Sequence, residues 1–228
     1  MKRQFDLELE ELRGAVLGMG GLCEEMLRRA MRVVAGRDER ATAELLAMEE
    51  RVNRLHIEID ERCLKLLALH QPAATDLRLI AACLKINSDL ERVGDQAVNI
   101  GETGRFLLEQ APIPLGDLPR MVELAATMLQ DSLDAFSRRE VALARSVIAR
   151  DDEEDRLKGR VFDELLKRMK ADPAAIQGGM ESILIARNLE RIADHATNIA
   201  EDVIFMVQAR DIRHHSEGSG GQSAQTAA

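Results

Sequence analysis

The 228-residue sequence has no tryptophan and no tyrosine, and five phenylalanines are its entire aromatic content. That scarcity speaks against a ligand site built by ring stacking and against sheets, whose packing favours aromatic and β-branched residues. Cysteine is also scarce. Cys23, Cys63 and Cys83 fall singly in apolar periodic stretches, too few and too scattered for a disulfide framework, and are expected to be buried thiols in a reducing compartment. Positive charge is outweighed, with 31 Lys and Arg against 40 Asp and Glu, a net charge of -9 and no long basic cluster. A phosphate backbone would be repelled, so nucleic acid is not an expected partner. The opening MKRQFDLELEELRG carries charges where a secretory signal needs an apolar segment, and no apolar run approaches spanning length. A cytoplasmic protein that meets a membrane only through partners is expected.

What remains is 46% hydrophobic and 31% charged, the balance of a globular chain. Glycine and proline are few and clustered, and between the clusters apolar residues recur at steps of three and four, the period of long helices. This punctuation predicts about six helices: residues 6 to 34, ending near Gly36; 38 to 69, ending at HQP; from beyond Pro72 to about 108; a fourth to about 136; a fifth over 140 to 170; and a sixth from near Pro173 to about 208. Pro112, Pro114, Gly116 and Pro119 mark residues 111 to 119 as the internal linker. The closing SEGSGGQSAQTAA has no apolar period and reads as a disordered tail.

The two halves repeat. LERVGDQAVNI begins at Leu90 and LERIADHATNI at Leu189, 99 positions later; upstream, residues 49 to 55 lie opposite 151 to 157, 102 positions later. The predicted fold is therefore all-α, two tandem three-helix bundles over residues 1 to 110 and 111 to 213, with a tail over 214 to 228.

One stripe of the third helix, through Leu79, Cys83, Ile86, Leu90, Val93, Ala97 and Ile100, is a packing seam, and Ile185 to Ile199 repeats it on the sixth. Beside the seam lie Glu91, Asp95, Asn99 and Glu102, and in the second copy Glu190, Asp194, Asn198 and Glu201. Steps of four, four and three place each set along one helical side, where like charges repel. The preceding helix of each copy supplies a second set: Glu49 with Asn53, and Asp151 with Asp155. If neighbouring helices run antiparallel, these oxygen-rich sides converge on a site suited to hard cations such as Mg, Mn, Ca or Fe. The plain alternative is a solvated amphipathic face, with Arg92 and Arg191 as neutralising neighbours. Recurrence of the same residue types in register favours the metal reading.

The spacing needed for a di-metal oxidase is missing, since Ile192 stands three places before His195. No Ser-His-Asp order, Gly-rich phosphate loop or metalloprotease motif is present, and His56, His70, His214 and His215 have no ligand spacing.

Three pieces, QPAATDLRL after the second helix, the paired LERVGDQAVNI and LERIADHATNI, and the closing ARDIRH, resemble the PhoU family of phosphate-transport accessory proteins over nearly the whole chain to about His214. The resemblance implies two three-helix bundles and clusters of iron or another divalent metal at a Glu/Asp-x-x-x-Asp motif. Those positions are Glu91 with Asp95, Glu190 with Asp194, and Asp151 with Asp155; at Glu49 the second acid is replaced by Asn53, one charge fewer. It further implies a homodimer and a non-catalytic regulator that, when phosphate is plentiful, restrains the phosphate ABC importer and keeps its sensor histidine kinase in the signalling-off mode. The alternative is a metal-dependent hydrolase or metal-buffering helical protein.

Overall fold

The computed structural model describes residues 4–36, 39–107 and 116–212. Among them every regular element is helical: α1 (Gln4–Gly36), α2 (Glu39–His70), α3 (Ala74–Leu107), α4 (Leu118–Arg138), α5 (Val141–Ile148), α6 (Asp151–Ala171) and α7 (Ile176–Gln208), with a single 3-10 turn at Pro173–Ala175. Most of the predicted linker and all of the predicted tail lie outside the described residues.

Helix ends follow local chemistry. Past α2, Gln71 takes a left-handed conformation (φ 44°) and Pro72 follows, so the helix cannot continue. Arg139 closes α4 in the same left-handed way, its N–H donating to the Ala135 carbonyl. One expectation is modified: the predicted fifth helix is broken at Ala149 and Arg150 into α5 and α6. Neither residue is a helix breaker. The turn is held from outside, by the Arg150 guanidinium donating to Asp131 Oδ2 of α4 at 2.6 Å and to the Ser146 carbonyl at 3.0 Å. As a result α6 begins with Asp151, Asp152, Glu153 and Glu154 in its first turn, where the helix dipole favours negative charge.

Helices α1, α2 and α3 pack on one another, as do α4, α6 and α7 with α5 filling in, and α3 lies along α7 to join the two groups. Arg78 meets Met206, Lys85 meets Asp202 and Asp89 meets Asn198, so α3 and α7 run antiparallel. The seam read from sequence is the buried one: Cys83, Ile86, Leu90, Ile185, Leu189, Ile192 and Ile199 are all fully buried. Each such large aliphatic contributes about 1.5–3 kcal/mol relative to exposure. Polar pins set the register: Cys23 Sγ donates to the Leu90 carbonyl at 3.2 Å, and Asn87 Nδ2 donates at 2.9 Å to both the His56 carbonyl and Asp60 Oδ1. Between the halves, Leu133 of α4 presses on Gly20 of α1 so closely that a Cβ there would lie 2.6 Å from it. All three cysteines are free and buried.

Candidate functional site

In the first half, Glu49 is partly buried on α2. Its carboxyl is pushed above the usual range by burial, and further by Asp95, Glu102, Glu50 and Glu91. The structure thus brings Glu49 of α2 against the acidic side of α3. A cation from the chain already lies on that side: Arg92 Nη1 is 3.2 Å from Asp95 Oδ2, and its Nε is 3.3 Å from Glu91 Oε2. Asn53 and Asn99 are exposed.

The second half is more crowded. Asp151 accepts a hydrogen bond from Thr197 Oγ1 at 3.2 Å, which pulls its carboxyl down, yet burial outweighs that and, with Asp155, Asp152 and Glu190, raises it. Asp194 has a side open to solvent; even so, partial burial by protein, then the charges of Glu190 and Asp151, push it up to about 6. Here the resident cation comes from the partner helix. Lys158 Nζ of α6 donates to Asp155 Oδ1 at 3.0 Å and to Glu190 Oε1 at 2.5 Å.

Asn198 does not join this group. Its amide donates at 3.2 Å to Asp89 of α3, and His195 Nδ1 lies 2.9 Å from the same carboxylate oxygen. Each step of four residues overshoots a full helical turn by about 40°, so Asn198 stands roughly 80° round from Glu190, towards the α3–α7 seam. His195 is thus a link between the halves.

Sequence reasoning missed Glu154. It is 1% exposed, and neither of its carboxylate oxygens has a hydrogen-bond partner among the described residues. Burial pushes its carboxyl up to about 8, with Glu190, Asp151, Glu153 and Asp155 adding to the rise.

The family model of the PhoU domain matches twice, over residues 16–104 and 118–203. The chain belongs to the PhoU family. The phosphate-specific transport system accessory protein PhoU homolog of Pseudomonas putida is 38% identical over 94% of this chain and 84% of its own length. The homolog of Caulobacter vibrioides is 37% identical over 92% of each chain, and the PhoU of Escherichia coli 32% identical over 92% of this chain and 88% of its own. Among solved structures, PhoU from Pseudomonas aeruginosa superposes with a TM-score of 0.88 at 37% identity, covering 91% of this chain and all of that one. The phosphate transport system regulatory protein PhoU from Streptococcus pneumoniae gives 0.86 at 30% identity, covering 91% and 99%. These relatives are named as accessory or regulatory proteins rather than as enzymes.

Both acidic groups fall inside the matched PhoU domains. Among the described residues no three His, Cys, Asp or Glu side chains are already drawn together as a metal-holding set; Arg92 pairs with Glu91 and Asp95, and Lys158 with Asp155 and Glu190. The donor chemistry still suits a hard cation. Each PhoU domain sets carboxylates of two helices against each other, with Glu49 in the first and Asp151 and Asp194 in the second at raised proton affinity, and in the second the buried Glu154 carboxylate has no hydrogen-bond partner among the described residues. Glu49, Glu91 and Asp95 would hold the metal in one domain, and Asp151, Asp155, Glu190 and Asp194 in the other. Bound there, a cation would supply the positive charge that turns repulsion into a cross-link between helices. No described helix is long and apolar enough to cross a membrane.

Proposed function

We propose that this PhoU-family chain is a cytoplasmic accessory regulator of phosphate transport that restrains phosphate uptake and the phosphate regulon when phosphate is abundant. In this reading it is an adaptor between the phosphate ABC importer and its sensor histidine kinase, working as a homodimer, and its two acidic sites hold divalent or trivalent metal such as Fe, Mn, Mg or Ca. The relatives' names support the transport role. The observation that carries the metal role is the confrontation of carboxylates from two helices in both domains, with Glu49, Asp151 and Asp194 each held at raised proton affinity by burial first and then by the acids of its own domain. Such groups lose their mutual repulsion when a cation enters.

Two experiments test this. In cells, deletion should derepress phosphate-uptake genes in phosphate-rich medium; unchanged expression and growth would overturn the regulatory role. In vitro, protein purified without chelators should carry metal, and a variant combining Glu91→Ala, Asp95→Ala, Glu190→Ala and Asp194→Ala should not. Equal metal content in both would overturn the assignment of the sites.

A further inference from the structure

The two domains differ at a position that lies against the acidic helix. In the first domain Val52 is fully buried and packs on Gly94, where an added Cβ would sit 3.3 Å from Val52 Cγ1. Gly94 falls between Glu91 and Asp95. In the second domain the residue 102 positions on from Val52 is Glu154, as deeply buried as Val52, and the residue 99 positions on from Gly94 is Ala193, between Glu190 and Asp194. A carboxylate thus replaces a core valine directly behind the second acidic site, and both of its oxygens lack a partner among the described residues. A buried polar group left without a partner is costly, so one that persists calls for an explanation, and an ion that it meets is one.

A second difference sits one turn further along. Lys158 bridges Asp155 and Glu190, whereas the residue 102 positions earlier is His56, whose ring faces Asp60 and the Asn87 carbonyl. The ammonium therefore occupies the carboxylates of the second site from within the chain, at their solvent side, while Glu154 lies on the interior side.

Resting on the reading that these acidic sites take metal, we propose that Glu154 is an additional, interior carboxylate ligand of the second site, and that Lys158 is a tethered cation which an incoming divalent metal displaces. The second site then differs in kind from the first: it has five carboxylates, Asp151, Glu154, Asp155, Glu190 and Asp194, and an internal competitor for them. A cation reaching Glu154 would satisfy its orphaned oxygens, which the lysine on the outer side does not.

The test is Mn2+ binding by calorimetry on the full chain carrying Glu91→Ala and Asp95→Ala, which leaves the second site to be observed. Glu154→Val installs the residue the first domain uses at this position, so the variant should fold and, without metal, unfold at a higher denaturant midpoint. It should bind Mn2+ about tenfold or more weakly, the scale on which even supporting groups around a metal act. Lys158→Met keeps the apolar stem and removes the competitor, and should bind Mn2+ more tightly. Unchanged affinity in Glu154→Val, with the raised midpoint, would make Glu154 a buried neutral carboxyl only and overturn the proposal while the metal reading stands. Weaker binding in Lys158→Met would overturn the displacement. Absence of Mn2+ binding by the unmodified chain and by both variants would overturn the metal reading and the proposal together.

Discussion

Lys85 of α3 and Asp202 of α7 form an ion pair across the seam between the two PhoU domains, Nζ to Oδ1 at 3.2 Å, with Asp202 only 2% exposed. The same ammonium stands 5.0 Å from the centroid of the Phe205 ring. Its charge is thus used twice, once on a buried carboxylate and once on an aromatic face.

Removing that ammonium should be felt at the seam. Lys85→Met leaves the buried Asp202 without this counter-charge, and the expected loss is about 1–3 kcal/mol in unfolding free energy, read from the urea midpoint. Asp202→Asn combined with Lys85→Met should cost less than the two singles added together. Additive effects would mean that the pair is not coupled.

Stability of the metal-free protein should fall as pH rises. Glu154 is raised from 4.5 to about 8 and Asp194 from 3.8 to about 6. A carboxyl held above its unfolded value favours the folded state while it stays protonated there, so its contribution is complete below about 4.5 for Glu154 and is lost as pH climbs through about 8. Glu154→Gln, measured in chelator, should match wild type most closely at low pH and gain on it steadily up to about pH 8. Stability curves that run parallel over that range would contradict the assignment.

The helices and their order were legible because long helices announce themselves by period and by the Gly and Pro that end them. The break at Ala149 and Arg150 was not, because the guanidinium that holds it reaches Asp131, 19 residues away in another helix. Of the site, the acids on α3 and α7 were visible as a repeated pattern. The hydrogen bond of Asn198 to Asp89 was not legible, because a four-and-four ladder winds around its helix towards the α3–α7 seam. Glu154 was hidden in the acidic run DDEED, and the signal that could have found it was its alignment with Val52, an apolar core position in the other copy.

Close helix packing gives a third prediction. A Cβ at Gly101 of α3 would lie 2.5 Å from Leu45 Cδ1 of α2, so Gly101→Val should destabilise by about 1–3 kcal/mol through overpacking. Adding Leu45→Ala should recover part of that loss, giving a double variant more stable than the sum of its singles predicts. Strict additivity in thermal unfolding would show that the leucine is not the obstacle.

The thiols should be silent in the folded protein. Burial pushes the Cys63 thiol up to about 12 and raises Cys23 and Cys83 as well, which removes the reactive thiolate. Reaction with a thiol-specific reagent at neutral pH should be slow in buffer and reach three equivalents in denaturant. Rapid labelling of any one cysteine in the native protein would place it at the surface.

The antiparallel seam of α3 and α7 pairs the last helix of one domain with the last helix of the other, joining residues more than a hundred positions apart, such as Asp89 and His195. Mechanically this is a two-subunit assembly carried on a single strand of peptide. Two modules tied in this way face each other at an effective concentration on the order of millimolar, whatever the abundance of the protein. The seam can therefore stay partly polar, as Lys85, Asp89, His195 and Asp202 make it, and still remain closed, because the covalent connection supplies the encounter that separate chains would have to reach by affinity alone.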